Sequence, residues 1–266
     1  MTGTERPGAR PAAGMHNGTI MPTDARCLVE ADESSATVRL SGVLESTTAD
    51  RVRDALLARL SDRPGPIVVD VARLRSTDGS AARLLAEVRR AIADWPAADL
   101  LVLDPAGTVT GADATGLPVY ATADEATAAL ARTPMAALLA AELAPTAGAA
   151  RQARAMIADG CARWGVPQLI EPASIAVTEM VNNVVAHART PMTVRLAPRD
   201  SSLHVAVRDH SPRQPAYAGL APLTSTGGRG LLLIDTVARR WGSTPVPNGK
   251  VVWCVLHAED EAARQG

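Results

Sequence analysis

Residues 178–188, Thr-Glu-Met-Val-Asn-Asn-Val-Val-Ala-His-Ala, constrain this chain more than any other stretch. Apolar side chains at Ile175, Val177, Met180, Val181, Val184 and Val185 recur at helical spacing, so a helix buries one face here. Glu179, Asn183 and His187 follow one another at intervals of four residues, which stacks three polar groups in one column. Polar side chains bordering an apolar face need partners or ligands. A carboxylate can accept a proton, and an amide oxygen suits a hard cation such as Mg²⁺. Taken alone, the spacing also describes a solvated helix edge. The rest of the chain decides between the two.

The core that such a helix joins must be aliphatic, because the 266 residues contain no Phe and only 2 Tyr. That length admits two modest domains. With 47% hydrophobic residues and a formal net charge of −1, a folded soluble protein is expected, without a basic footprint for nucleic acid. The sequence has no apolar run of membrane-spanning length and no signal-peptide core, so no membrane association and a cytoplasmic location are expected. Cys27, Cys161 and Cys254 fit no metal spacing and are expected as buried thiols in a reducing compartment.

Residues 1–23 carry Gly, Pro and Thr without period and are expected to be disordered. From 24 to 133 strands and helices alternate. Residues 36–40 alternate as a half-buried strand, and Ser46 or Thr48 can cap a helix reaching about Leu60. Residues 67–71, Ile-Val-Val-Asp-Val, read as a strand buried on both faces. A second helix carries Leu84, Leu85, Val88 and Ile92; a strand over 99–104 and a helix over 124–131 follow. The order implies a small α/β domain. Its opening Leu40-Ser41-Gly42-Val43-Leu44-Glu45, the 67–71 strand and the loop into the next helix make it similar to STAS domains, the fold of anti-sigma factor antagonists. In phosphorylatable STAS domains that loop reads close to Asp-Ser-Ser-Gly, with the first serine as acceptor. Here it reads Asp78-Gly79-Ser80-Ala81, so Gly79 stands at the acceptor position. Ser80, one residue late, is either a displaced phosphoacceptor or a helix cap, and Thr77 precedes the Asp. A docking or pseudo-substrate role is the leading expectation for this half.

Residues 133–145 are Ala/Leu-rich between Pro134 and Pro145, and form either a linker helix or a first strand; the boundary is placed near 134. The second domain, 134–259, opens with a helix from about 146 to 164. Pro172 fits the first turn of the central helix. Residues 193–196 and 203–207 alternate as strands joined by Pro198-Arg199-Asp200-Ser201. A helix after Gly227-Gly228-Arg229-Gly230 faces Leu231, Ile234, Val237 and Ala238 inward and ends at Trp241-Gly242, before a last strand over 250–257. The expected result is an α+β sandwich, with helices on one face of a mixed sheet, and a tail over 260–266.

Three features carry chemistry together: the E-x-x-x-N helix, Asp209 at the end of a strand, and a Gly-rich loop opening a helix. An Asp above an apolar sheet can accept from an exocyclic amine, and glycines at a helix start let backbone approach phosphate. In this order, with 207–215, 228–231 and Gly249-Lys250-Val251-Val252-Trp253, they resemble the GHKL ATPase superfamily, specifically its anti-sigma factor serine kinases. The resemblance implies ATP and Mg²⁺ as cofactors. It implies Asn183 as the Mg²⁺ ligand, Asp209 as the adenine reader, Gly228, Arg229 and Gly230 as parts of the lid, and Glu179 as general base. Ser211 departs from the Gly that many members carry two residues after the Asp. The reaction implied is serine phosphorylation of a STAS-domain antagonist in a sigma-factor partner-switching pathway. A homodimer is compatible with the resemblance. The competing expectation is a catalytically silent module that sequesters a sigma factor or STAS partner, with its own STAS half as competitor.

Overall fold

The computed structural model describes residues 27–31, 35–76, 79–109, 111–132, 137–213 and 229–260. The 1–23 segment, Thr77, Asp78, the boundary at 134, Gly227, Gly228 and the 261–266 tail lie outside the described residues.

The first half runs β1 (Cys27–Ala31), β2 (Thr37–Val43), α1 (Ser46–Asp62), β3 (Ile67–Arg75), α2 (Ser80–Ile92), β4 (Leu100–Leu103), β5 (Val119–Tyr120) and α3 (Ala123–Arg132). The strands form one sheet in the order β1-β2-β3-β4-β5. β1 is antiparallel to β2, and the others run parallel. Parallel neighbours need crossovers, and α1 and α2 supply two of them. α3 lies against the sheet through Ala126 and Ala129, which pack with Val68 and Leu101. The cap of α1 is Glu45, not Ser46; Thr48 acts from inside the first turn, its Oγ1 accepting the Glu45 N–H at 3.2 Å.

The second half runs β6 (Leu139–Leu143), α4 (Ala149–Trp164), α5 (Ile170–Asn183), β7 (Met192–Arg199), β8 (Ser202–Asp209), α6 (Arg229–Val237), β9 (Arg240–Val246) and β10 (Gly249–His257). The sheet order is β6-β7-β8-β10-β9. Every neighbouring pair is antiparallel, which corrects the mixed sheet expected from sequence. The 133–145 segment supplies the strand β6 rather than a linker helix. Trp241 and Gly242 do not end α6; they lie within β9. Pro245 and Gly242 disguise that strand as a turn, and it can carry both because it is an edge. Gly242 has a packing reason: a Cβ there would run into the Trp253 ring. The link between β7 and β8 is tighter than Pro198-Arg199-Asp200-Ser201, since Arg199 already pairs with Ser202 and Asp200 turns the chain at φ +52.

One face of the second sheet is covered by α4, α5 and α6, with Ile157, Val177, Val181, Val205, Ile234 and Cys254 among its buried residues. Cys27, Cys161 and Cys254 are free and buried as expected, and burial pushes the Cys161 thiol up to about 11. The opposite face is covered by the first half. Ala206, Val246 and Val251 are buried in the same apolar cluster as Leu56, Leu60 and Val88 of α1 and α2. These two helices are therefore sandwiched between two sheets.

Polar contacts fix this junction. Arg195 donates to three main-chain carbonyls at the end of α1, Leu60 at 3.3 Å, Ser61 at 2.5 Å and Asp62 at 3.4 Å. Arg208 reaches the Asp62 carboxylate at 2.5 Å. Arg199 donates to the carbonyls of Ala93 at 2.8 Å and Ala98 at 3.3 Å, and Arg240 grips the Asp94 carboxylate with Nε and Nη2. Helix C-termini leave carbonyls without intrahelical partners and carry partial negative charge, so cations from the second sheet satisfy both demands. Burial, reinforced by the neighbouring Arg208, lowers the Arg195 pKa to about 10.

Candidate functional site

The site is built on the end of α5 and the ends of β8 and β10. Pro172 lies in the first turn of α5, and Ala173, Ala176, Val177, Met180 and Val181 bury its inner face. That packing leaves Glu179 and Asn183 half-buried at the edge of the apolar face. No hydrogen bond or ion pair engages either side chain among the described residues. They stand one turn apart, as the four-residue spacing requires. Asn182 points outward and is exposed, in keeping with the choice of Asn183 over its neighbour.

His187 departs from the column. After Asn183 the chain makes a π-turn over Val184–Ala188, closed by the Arg189 N–H donating to the Val184 carbonyl at 2.7 Å. A wider turn carries a side chain four residues on away from its α-helical position, and His187 is exposed. Arg189 then adopts φ +56 and ends the helix. Thr190 Oγ1 accepts the His210 N–H at 3.1 Å, tying the exit of this helix to the loop after β8. Met192 pairs directly with Asp209. The polar pair on α5 and the acid on β8 are thus joined by a short, anchored connection.

Strand alternation sends consecutive residues to opposite faces. On β8, Val205, Val207 and Asp209 face α5, whereas Ala206 and Arg208 face the first half. Asp209 is 1% exposed. It is not free: Oδ2 lies 2.8 Å and Oδ1 3.0 Å from Lys250 Nζ, and Oδ1 also accepts the Ser211 N–H at 2.8 Å. Ser211, the departure noted in the sequence, therefore turns the chain back onto the carboxylate.

Lys250 is the charged partner of Asp209, a pairing that sequence reasoning missed. It shares strand parity with Val252 and Cys254, both of which face the helices, so the alternation of β10 already places it inward. Its partner across the strands is 41 positions away, beyond any local pattern.

Of the lid residues, Arg229 and Gly230 open α6, and Gly228 lies outside the described residues. Ser80 begins α2 just after Gly79, which takes φ +73 as the cap. Its hydroxyl does not face solvent: Ser80 is 6% exposed, with Oγ 3.0 Å from Ser76 Oγ and donating to the Leu44 carbonyl at 3.4 Å.

The oxygens at hand test what the site could hold. No group of three or more His, Cys, Asp or Glu capable of holding a metal occurs among the described residues. The amide oxygen of Asn183 is a hard donor of the kind that fits Mg²⁺. No helix among the described residues is long and apolar enough to cross a membrane.

Comparison with known proteins agrees with this division. Residues 143–256 match the family of histidine kinase-like ATPase domains, and residues 27–95 match the family described as Mlab, STAS domain. An uncharacterized protein of Streptomyces coelicolor is 39% identical over 82 residues, which cover 29% of this chain and 78% of that protein. Among solved structures, the RsbU and RsbW domains of a Mycobacterium tuberculosis protein align over 45% of this chain and 31% of theirs, at 20% identity and TM-score 0.35. This chain thus spans about a third of that one. An anti-sigma factor antagonist from Mycobacterium paratuberculosis aligns over 40% of this chain and 92% of its own, at 25% identity and TM-score 0.31.

Proposed function

We propose, from the premise that this chain belongs to the STAS domains by its first half and to the histidine kinase-like ATPases by its second, that it is an ATP-dependent regulator of partner switching. In this reading it phosphorylates a serine of a separate STAS-domain protein that antagonises an anti-sigma factor, and a sigma factor is the alternative partner. One observation carries it: Glu179 and Asn183 stand one turn apart on α5 with no side-chain partner among the described residues, on the same face of the sheet as Asp209.

In this reading Asn183 offers its amide oxygen to the Mg²⁺ that accompanies the triphosphate, and Glu179 accepts the proton of the incoming serine hydroxyl. Bound Mg²⁺ would supply charge neutralisation on the phosphates. The start of α6, with Arg229 and Gly230, presents backbone N–H groups suited to phosphate charge. Asp209 marks the base end.

The substrate is taken to be a separate protein because α1 and α2 are held on the sheet face away from α5, and because Ser80 is buried. The test is transfer of labelled phosphate from ATP to added STAS-domain proteins carrying serine at the acceptor position. Transfer lost in Glu179→Gln supports the kinase reading. Absence of transfer to every STAS protein tested, with ATP binding intact, supports the second reading, a silent nucleotide-dependent binding module.

A further inference from the structure

Lys250 and Asp209 are register partners on β10 and β8, and both are buried. The ammonium has three hydrogens, and three acceptors surround it: Asp209 Oδ2 at 2.8 Å, Oδ1 at 3.0 Å and the Ser211 carbonyl at 3.3 Å. The carboxylate in turn holds the Ser211 N–H. The group is closed on itself. Gly249 makes the close approach feasible: at φ +151 its α-carbon lies against the Asp209 carbonyl, where no Cβ would fit.

Resting on the nucleotide-binding reading above, we infer that Lys250 is the specificity-determining residue at the base end of the site. Its ammonium holds the position on Asp209 that a purine's exocyclic amine would take. The site therefore grips a magnesium triphosphate by its phosphates and discriminates little by the base amine. The reasoning is a competition between donors. A charged ammonium hydrogen-bonds a carboxylate more strongly than a neutral amine does. Displacing it would also leave a buried cation without its counter-charge. The phosphate end is untouched by this pairing, since Glu179 and Asn183 belong to α5 and share no hydrogen bond or ion pair with Lys250 among the described residues. Replacing Lys250 by a short neutral residue would leave a buried carboxylate in need of a donor, and the adenine amine is such a donor.

The experiment is calorimetric titration of the full-length chain with Mg-ATP and with the magnesium complex of purine riboside triphosphate, which is ATP without its 6-amino group. Both the natural chain and Lys250→Thr are titrated, with melting temperatures read alongside. The natural chain is expected to bind the two nucleotides within about threefold of each other. Lys250→Thr is expected to prefer ATP by about tenfold or more, the weight of one well-made polar contact. Binding of ATP that emerges only in Lys250→Thr, with neither nucleotide bound by the natural chain, overturns the inference as stated, because the phosphates alone then do not hold the ligand. A tenfold preference for ATP in the natural chain overturns it, because the amine then reaches Asp209 past the lysine. Equal binding of both nucleotides by a folded Lys250→Thr overturns it as well. Should that variant not fold, the natural chain's preference decides alone. Absence of binding of either nucleotide to both proteins has a different signature: it removes the nucleotide-binding reading itself, and this inference with it.

Discussion

The two faces of the second sheet are opposites. On the outer face, Arg195, Arg199, Arg208 and Arg240 are all engaged, and most of their acceptors are main-chain carbonyls at the ends of α1 and α2. On the inner face, Glu179 and Asn183 have no side-chain partner among the described residues, while Asp209 and Lys250 answer each other. The same strands serve both, since Arg208 and Asp209 are neighbours in sequence and back to back in space. A face whose charged side chains find their acceptors within the chain is an internal joint, even though Arg195 and Arg208 each keep a buried Nε without a partner among the described residues. A face with unanswered polar groups beside a buried core is where a ligand can enter. Substitutions on the outer face should therefore move stability and leave ligand binding alone, and those on the inner face should do the reverse.

The largest expected effect on stability is Arg195→Met. It strips the carbonyls of Leu60, Ser61 and Asp62 of their donor, at a cost of about 1–3 kcal/mol in denaturant unfolding, the range for a buried acceptor left unsatisfied. Loss of less than about 1 kcal/mol would mean that the two halves are not joined as described. Next, on the opposite face, the kinase reading proposed above expects Glu179→Gln to lower phosphate transfer by about 10²- to 10⁴-fold while shifting the unfolding midpoint little. A parallel collapse of stability would break the contrast between the faces.

A pH effect is smaller. Burial lowers the His204 pKa below 6.5, while its ring Nδ1 sits 3.0 Å from the Asp94 carbonyl at the joint. The unfolded chain, with its histidine near 6.5, thus binds a proton that the folded chain resists. Stability from this group is complete above about pH 6.5 and declines as pH falls through that value towards the lower folded pKa. The melting-temperature advantage of the natural chain over His204→Gln should shrink between pH 7.5 and pH 5.5, roughly the range histidine titrates. An unchanged gap would remove His204 from the joint's pH dependence. Smallest of all, Ser80→Ala should leave the phosphate content of the chain after incubation with Mg-ATP unchanged, as read by intact mass.

Much of this was legible in the sequence. The apolar period around Met180 and Val181 gave a helix, and the four-residue interval paired Glu179 with Asn183. What was not legible depended on distant partners. β9 escaped notice because Gly242 and Pro245 read as a turn, and only pairing with β10 makes them a strand. Arg195 and Arg208 look like solvated positions on alternating strands; they are buried because a second layer from far earlier in the chain covers them. The column of three polar groups lost His187 to a π-turn, a local change of pitch that the spacing of apolar residues does not announce. Lys250 faced inward by parity alone, but its meaning required the register that sets it opposite Asp209.

α1 and α2 are greasy on two sides, one for each sheet. A helix pair of that kind cannot be traded as a module. Cleave the chain near residue 134 and the first half would display a wet apolar surface, while the second would strand Arg195 and Arg208 in the middle of a bare sheet. The two halves thus form one manufacturable unit: they would have to be expressed together and altered together.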